Sequence, residues 1–215
     1  SALLNQKKQI RLADEDCYKK ITVKSDDANL VQLCTTLNAY KDIQITYVFG
    51  SSRETLDGLE LAKWVTVTNG TEIQVDRDKA AAYVKSLADK YDTYGNHKYK
   101  TTSGRDVVAY GKYGWKINQA AETEALAAII ASGESTTREP EYSQKAASHG
   151  ANDYGDTYVE INLTGQHLFF YKEGKLVVES DFVSGNLAKG WGTPAGSYPL
   201  AYKQKNAVLK GENYR

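Results

Sequence analysis

The sequence predicts an α+β domain followed by an all-β region with too few strands to close a sandwich or a barrel. Three observations predict it. Up to about residue 132, helical and strand patterns mix without a steady strand–helix–strand rhythm, which favours α+β over a doubly wound sheet. Residues 133–156 hold Pro140, several glycines and many small polar side chains with no sustained period. Beyond them the helical signal vanishes. The expected organisation is an α+β domain over 1–132, a linker over 133–156 and an incomplete all-β part over 157–215.

The elements follow in chain order. "SDDANLVQLCTTLNAYKD" sets Leu30, Leu33, Cys34 and Leu37 at three- and four-residue spacing. This predicts a helix capped by Ser25 or Asp26, with Cys34 on its buried face. "IQITYVF" alternates and is rich in β-branched and aromatic residues, so it predicts a strand. In "LDGLELAKWV", Asp57 and Glu60 have capping-box spacing before a short helix ending near Trp64. "TEIQVD" predicts a strand. Asp76 then opens an amphipathic helix with Ala80, Val84, Leu87 and Tyr91 along one face.

"KYKTTSGRDVVAYG" predicts two strands around Ser103-Gly104, and "YGWKIN" a third. Asn118 caps the helix "QAAETEALAAIIASG", which stops at Gly133. After the linker, "TYVEINL", "QHLFFYK", "KLVVESDFVSG" and "GSYPLAYK" predict four strands. Four strands with two-sided apolar character bury too little to stand alone, so the chain is expected to stop inside a domain.

Composition excludes some functions. Lys+Arg 27 against Asp+Glu 27 leaves no net charge to steer the chain to nucleic acid. No run of eighteen apolar residues suggests a membrane span, and the start lacks the apolar core of a signal peptide. There is no HExxH, no P-loop and no GxGxxG after a strand, so no metal or nucleotide cofactor is expected. Cys17 and Cys34 are too few for a disulfide scaffold, and their spacing suits no zinc site. They could form one bridge or remain two thiols, and composition does not choose.

Two blocks carry a resemblance. "YVEINLTGQHLFFYKEGKLVVESDFVSGN" followed by "GTPAGSYPL" resembles the opening of an L,D-transpeptidase catalytic domain of the YkuD type. The shared order is strand, apolar-aromatic strand, Y-K-x-G-K hairpin, strand ending in V-S-G, then T-P-x-G. Upstream, "ITYVFGSSRETLDGLELAKWV", "DRDKAAAYVKSLADKYDTYG" and "TTSGRDVVAYGKYGWKIN" resemble the peptidoglycan-binding domain that precedes such catalytic domains in Gram-positive bacteria. The resemblance implies a wall-facing extracellular enzyme, anchored to the membrane upstream of Ser1, whose partners are peptidoglycan stem peptides. A non-catalytic wall-binding protein is the alternative.

The implied chemistry is acyl transfer by a cysteine, whose thiolate is a strong nucleophile once a histidine lowers its pKa. In the family that cysteine lies in a Ser-His-Gly-Cys motif well after T-P-x-G. Ser148-His149-Gly150 precedes the first catalytic strand, and Ala151 stands where the thiol would be. This is read as a chance match, and the catalytic residues are expected beyond Arg215. Cys34 has core spacing and Cys17 lies in "DEDCYKK" outside the catalytic block, so both are read as structural. His97 is read as a solvated turn residue and His167 as a wall residue with one ring nitrogen satisfied. Most of the tyrosines are assigned to strand packing. Trp191, in a Gly-rich loop beside T-P-x-G, is the one candidate for lining a substrate cleft.

Overall fold

The computed structural model describes residues 24–68, 72–150 and 152–208. Cys17 and Ala151 lie outside them. The chain folds as helices and five small sheets, none of which closes into a barrel among the described residues.

The core is built on β1 (Gln44–Phe49), whose alternation sends Ile45, Tyr47 and Phe49 inward. It pairs antiparallel with β2 (Ser52–Asp57) and parallel with β8 (Thr136–Arg138). Two helices cover this sheet. In α3 (Arg77–Tyr91), Asp76 accepts from Lys79 N and the predicted stripe Ala80, Val84 and Leu87 is buried. In α4 (Gln119–Ser132), Asn118 is the cap and Leu126 and Ile130 enter the same core as Leu61 and Trp64. Asp57 caps the short α2 (Gly58–Leu61) by accepting from Glu60 N. Two hairpins complete this part. One is β3 (Val65–Thr68) with β4 (Glu72–Val75), and the other is β5 (Asn96–Lys100) with β6 (Asp106–Tyr110). The "VTVT" strand β3 was hidden by the helical reading of the residues before it.

Helix α1 (Ala28–Tyr40) departs from expectation in two ways. Its cap is Asp27, which accepts from Asn29 N and Leu30 N, rather than Ser25 or Asp26. Its periodic face is not buried either: Leu30 and Cys34 are exposed, and Leu33 and Leu37 are only half-buried. Only the last turn reaches the core, through Tyr40, whose hydroxyl donates to Ile130 O at 2.7 Å. A helix docked at one end leaves the apolar spacing of its other end without a partner surface among the described residues.

The stretch expected to be a linker carries two short strands. β8 extends the central sheet, and β9 (Tyr142–Gln144) pairs with β7 (Lys116–Ile117). Three-residue strands are too short to display a period, which is why the sequence hides them. Downstream, β10 (Tyr158–Asn162), β11 (His167–Lys172) and β12 (Lys175–Asp181) form an antiparallel meander. The fourth expected strand, "GSYPLAYK", is absent. Ser197 alone makes a bridge, Pro199 lacks an amide to donate, and Leu200 is 72% exposed. No helix among the described residues is long and apolar enough to cross a membrane.

Candidate functional site

The motif-bearing loop after β12 is laced together by short polar contacts. Gln166, in the β10–β11 turn, accepts from Ser184 N and donates to Ser184 Oγ, each at 2.7 Å. This pins the V-S-G segment that follows β12. Gly185 N then donates to Thr193 Oγ1 at 3.0 Å, so V-S-G and T-P-A-G meet although their joined residues are eight positions apart. Gly185 has to be glycine because a Cβ there would lie 1.7 Å from Trp191 O. Between these points Asn186 caps a 3-10 turn, Leu187–Lys189, and its carbonyl accepts from Trp191 N at 3.0 Å. The loop thereby presents Trp191 outward, 68% exposed, with Lys189 Nζ 5.3 Å from its ring centre.

His167 opens β11 and hydrogen-bonds through Nδ1 to Asp181 Oδ1 at 2.7 Å. That contact, the largest cause, holds its pKa above the usual imidazole value. One ring nitrogen is satisfied, as expected, and the other lies 3.7 Å from Glu179.

The other histidines are built in rather than solvated. His97 is only 5% exposed. Its Nδ1 meets Asp153 Oδ1 at 3.0 Å and its Nε2 meets Tyr113 O at 2.7 Å. The turn reading failed because Asp153, which also accepts from Thr93 Oγ1, lies 56 residues away in sequence. His149 stacks on Trp115 with ring centres 3.7 Å apart and planes at 10°. Phe49 meets His149 edge-on, and Trp115 Nε1 donates to Ser148 O at 2.6 Å. These groups, with Tyr91 and Asn152, border a cleft of about 290 Å³.

Ser148-His149-Gly150 is thus a clip on the indole of Trp115. Its His149 Nε2 is buried without a hydrogen-bond partner. Burial, the largest cause, lowers the pKa of His149. The unfolded chain therefore takes up the proton first as pH falls. The stabilising contribution of neutral His149 is complete above the ordinary histidine range near 6.5 and is lost as pH falls below it. His167 acts with opposite sign, its contribution fading as pH rises, but exposure screens it. Denaturant midpoints between pH 7 and pH 5 should therefore fall less in His149→Gln than in the parent chain. An identical slope would remove His149 from the account.

Among the described residues no group of three His, Cys, Asp or Glu side chains is placed to hold a metal ion. The one thiol described, Cys34, sits on α1 and outside both loops.

The described residues thus place an α+β part before a β-meander that is followed by the laced V-S-G and T-P-A-G segments. Residues 50–138 match the family model described as "Putative peptidoglycan binding domain". Two solved structures are similar along most of their length. The Ldtfm-avibactam carbamoyl enzyme is 32% identical with a TM-score of 0.66, over 86% of this chain and 72% of that one. A cysteine-to-serine mutant of Enterococcus faecium L,D-transpeptidase is also 32% identical, with a TM-score of 0.64 over 85% and 73%. No curated protein matches. The chain belongs to the L,D-transpeptidase family.

Proposed function

We propose that this chain is the wall-binding part and the leading part of the catalytic domain of a peptidoglycan L,D-transpeptidase. On this reading it works at the outer face of the cell membrane or in the wall, on stem peptides. A cysteine thiolate attacks the carbonyl before a terminal D-alanine, the C–N bond breaks, and D-alanine leaves with the proton. The amine of a neighbouring stem then attacks the thioester, forming the crosslink and returning the thiol. Oxyanion stabilisation by backbone donors is required at both steps. Neither Cys17 nor Cys34 belongs to the catalytic block, so the nucleophile and its histidine are assigned to polypeptide beyond Arg215. Trp191 is assigned to the rim of the substrate cleft.

One observation carries this reading: the Gly185–Thr193 hydrogen bond that joins the two family motifs beside an outward-facing Trp191. Residues 1–215 incubated with disaccharide-tetrapeptide donor and acceptor should give no crosslinked product by mass spectrometry. The complete enzyme should give it, and Trp191→Ala should lower its kcat/KM roughly tenfold, equivalent to about 1.4 kcal/mol. Crosslinking by residues 1–215 alone would overturn the assignment of the nucleophile. The absence of a thiol in the catalytic block favours a second reading, a non-catalytic wall-binding protein. That reading requires a complete reading frame that adds no Ser-His-Gly-Cys motif, and pelleting of the chain with purified sacculi.

A further inference from the structure

We propose that the β5–β6 hairpin is the positioning element of the T-P-A-G loop, and that Glu160 on β10 is the positioning residue that seats it. The kinetic part of this proposal rests on the transpeptidase reading. The hairpin falls within the 50–138 match, yet its two strands pair only with each other in their sheet. Besides the His97 contacts to Tyr113 and Asp153, the hairpin reaches the catalytic side at both of its ends.

At the tip, Glu160 is 9% exposed and takes its donors from the hairpin. Thr102 N donates at 2.9 Å, and Thr102 Oγ1 and the Tyr99 hydroxyl donate as well. Burial first, and then the Glu160 hydrogen bond, keep the Tyr99 hydroxyl protonated well above the usual phenol range. Tyr171 on β11 adds a 3.0 Å contact to Thr102 Oγ1, and Tyr99 packs edge-on against Tyr154 and Tyr158. A buried carboxylate is costly unless its lone pairs are filled, so these donors hold one geometry.

At the base, Ser197 N donates to Tyr110 O and Lys112 N donates to Ser197 O, both at 2.9 Å. Ser197 follows directly on Thr193-Pro194-Ala195-Gly196. The approach requires glycine at 111, where a Cβ would lie 2.1 Å from Ser197 O. The hairpin therefore grips β10 with one end and the residue closing the motif loop with the other. The wall-binding part is in this sense a component of the catalytic platform.

Amide hydrogen exchange on the 215-residue chain tests this, with Gly111→Ala, Glu160→Ala and Glu160→Gln. In the parent, the Lys112 and Ser197 amides should exchange slowly. Gly111→Ala should speed both at least tenfold while the α3 and α4 amides keep their rates. Glu160→Ala should speed Thr102 and, through the hairpin, Ser197, with Glu160→Gln recovering part of the protection. In the complete enzyme, Gly111→Ala should lower kcat while sacculus binding is unchanged. A Ser197 amide already fast in the parent, or unmoved in both Gly111→Ala and Glu160→Ala, would overturn the proposal. Should Gly111→Ala fail to fold, the two Glu160 variants decide. A parent enzyme that forms no crosslinks would instead sink the transpeptidase reading, leaving the exchange result to stand by itself.

Discussion

Glu122→Ala is expected to destabilise the N-terminal part by about 3–5 kcal/mol, the cost of stripping one partner from a buried charge pair. Glu122 is fully buried on α4. One carboxylate oxygen accepts from Tyr47 Oη at 2.5 Å and from Arg138 Nη1 at 2.9 Å, while the other accepts from Glu141 N at 2.6 Å. It therefore ties the central strand β1 to β8 and to the turn before β9. Alanine would leave a buried hydroxyl, a largely covered guanidinium and a backbone amide unsatisfied. Burial, the largest cause, and the Glu122 hydrogen bond already hold the Tyr47 hydroxyl protonated far above the phenol range. Denaturant unfolding should show the lower midpoint, with Glu122→Gln falling between variant and parent. A loss under about 1 kcal/mol would mean that the network is solvated.

Trp115→Ala should cost a similar amount, about 3–5 kcal/mol, because it removes a large buried aromatic from a site with little room to collapse. The indole packs against Tyr142 with ring centres 4.8 Å apart, carries His149 on its face and donates to Ser148 O. Its loss frees the Ser148-His149-Gly150 clip as well as opening a hole. The accompanying sign is spectroscopic: His149, no longer shielded, should titrate closer to an ordinary imidazole by NMR. Destabilisation with His149 unmoved would show that the clip is held by something other than the indole.

Much of the fold was legible because its signals are local. Asp57, Asp76 and Asn118 each cap the helix that their spacing announces, and the stripe of α3 is buried as its period requires. What stayed hidden depends on partners remote in sequence. The burial of His97 is decided by Asp153, and the exposure of Cys34 by the docking of α1 through Tyr40 alone. Likewise nothing local marks Glu122 as buried, since Arg138 and Tyr47 are brought to it by the fold. The motif loop was visible as V-S-G and T-P-A-G, but not the side chain of Gln166 that fastens it. No periodicity marks a glutamine that meets its partner 18 residues later.

The two grips of the β5–β6 hairpin also bear on how such chains can diverge. Because the halves are aligned through space, at Glu160 and at Ser197, the covalent path between them does not have to set their orientation. Gly111 and Thr102 are held by these contacts, whereas the connector Gly155-Asp156 is held only locally, by the positive φ of Gly155 and by Asp156 O accepting from Gly174 N. Inherited variation should therefore spare the hairpin.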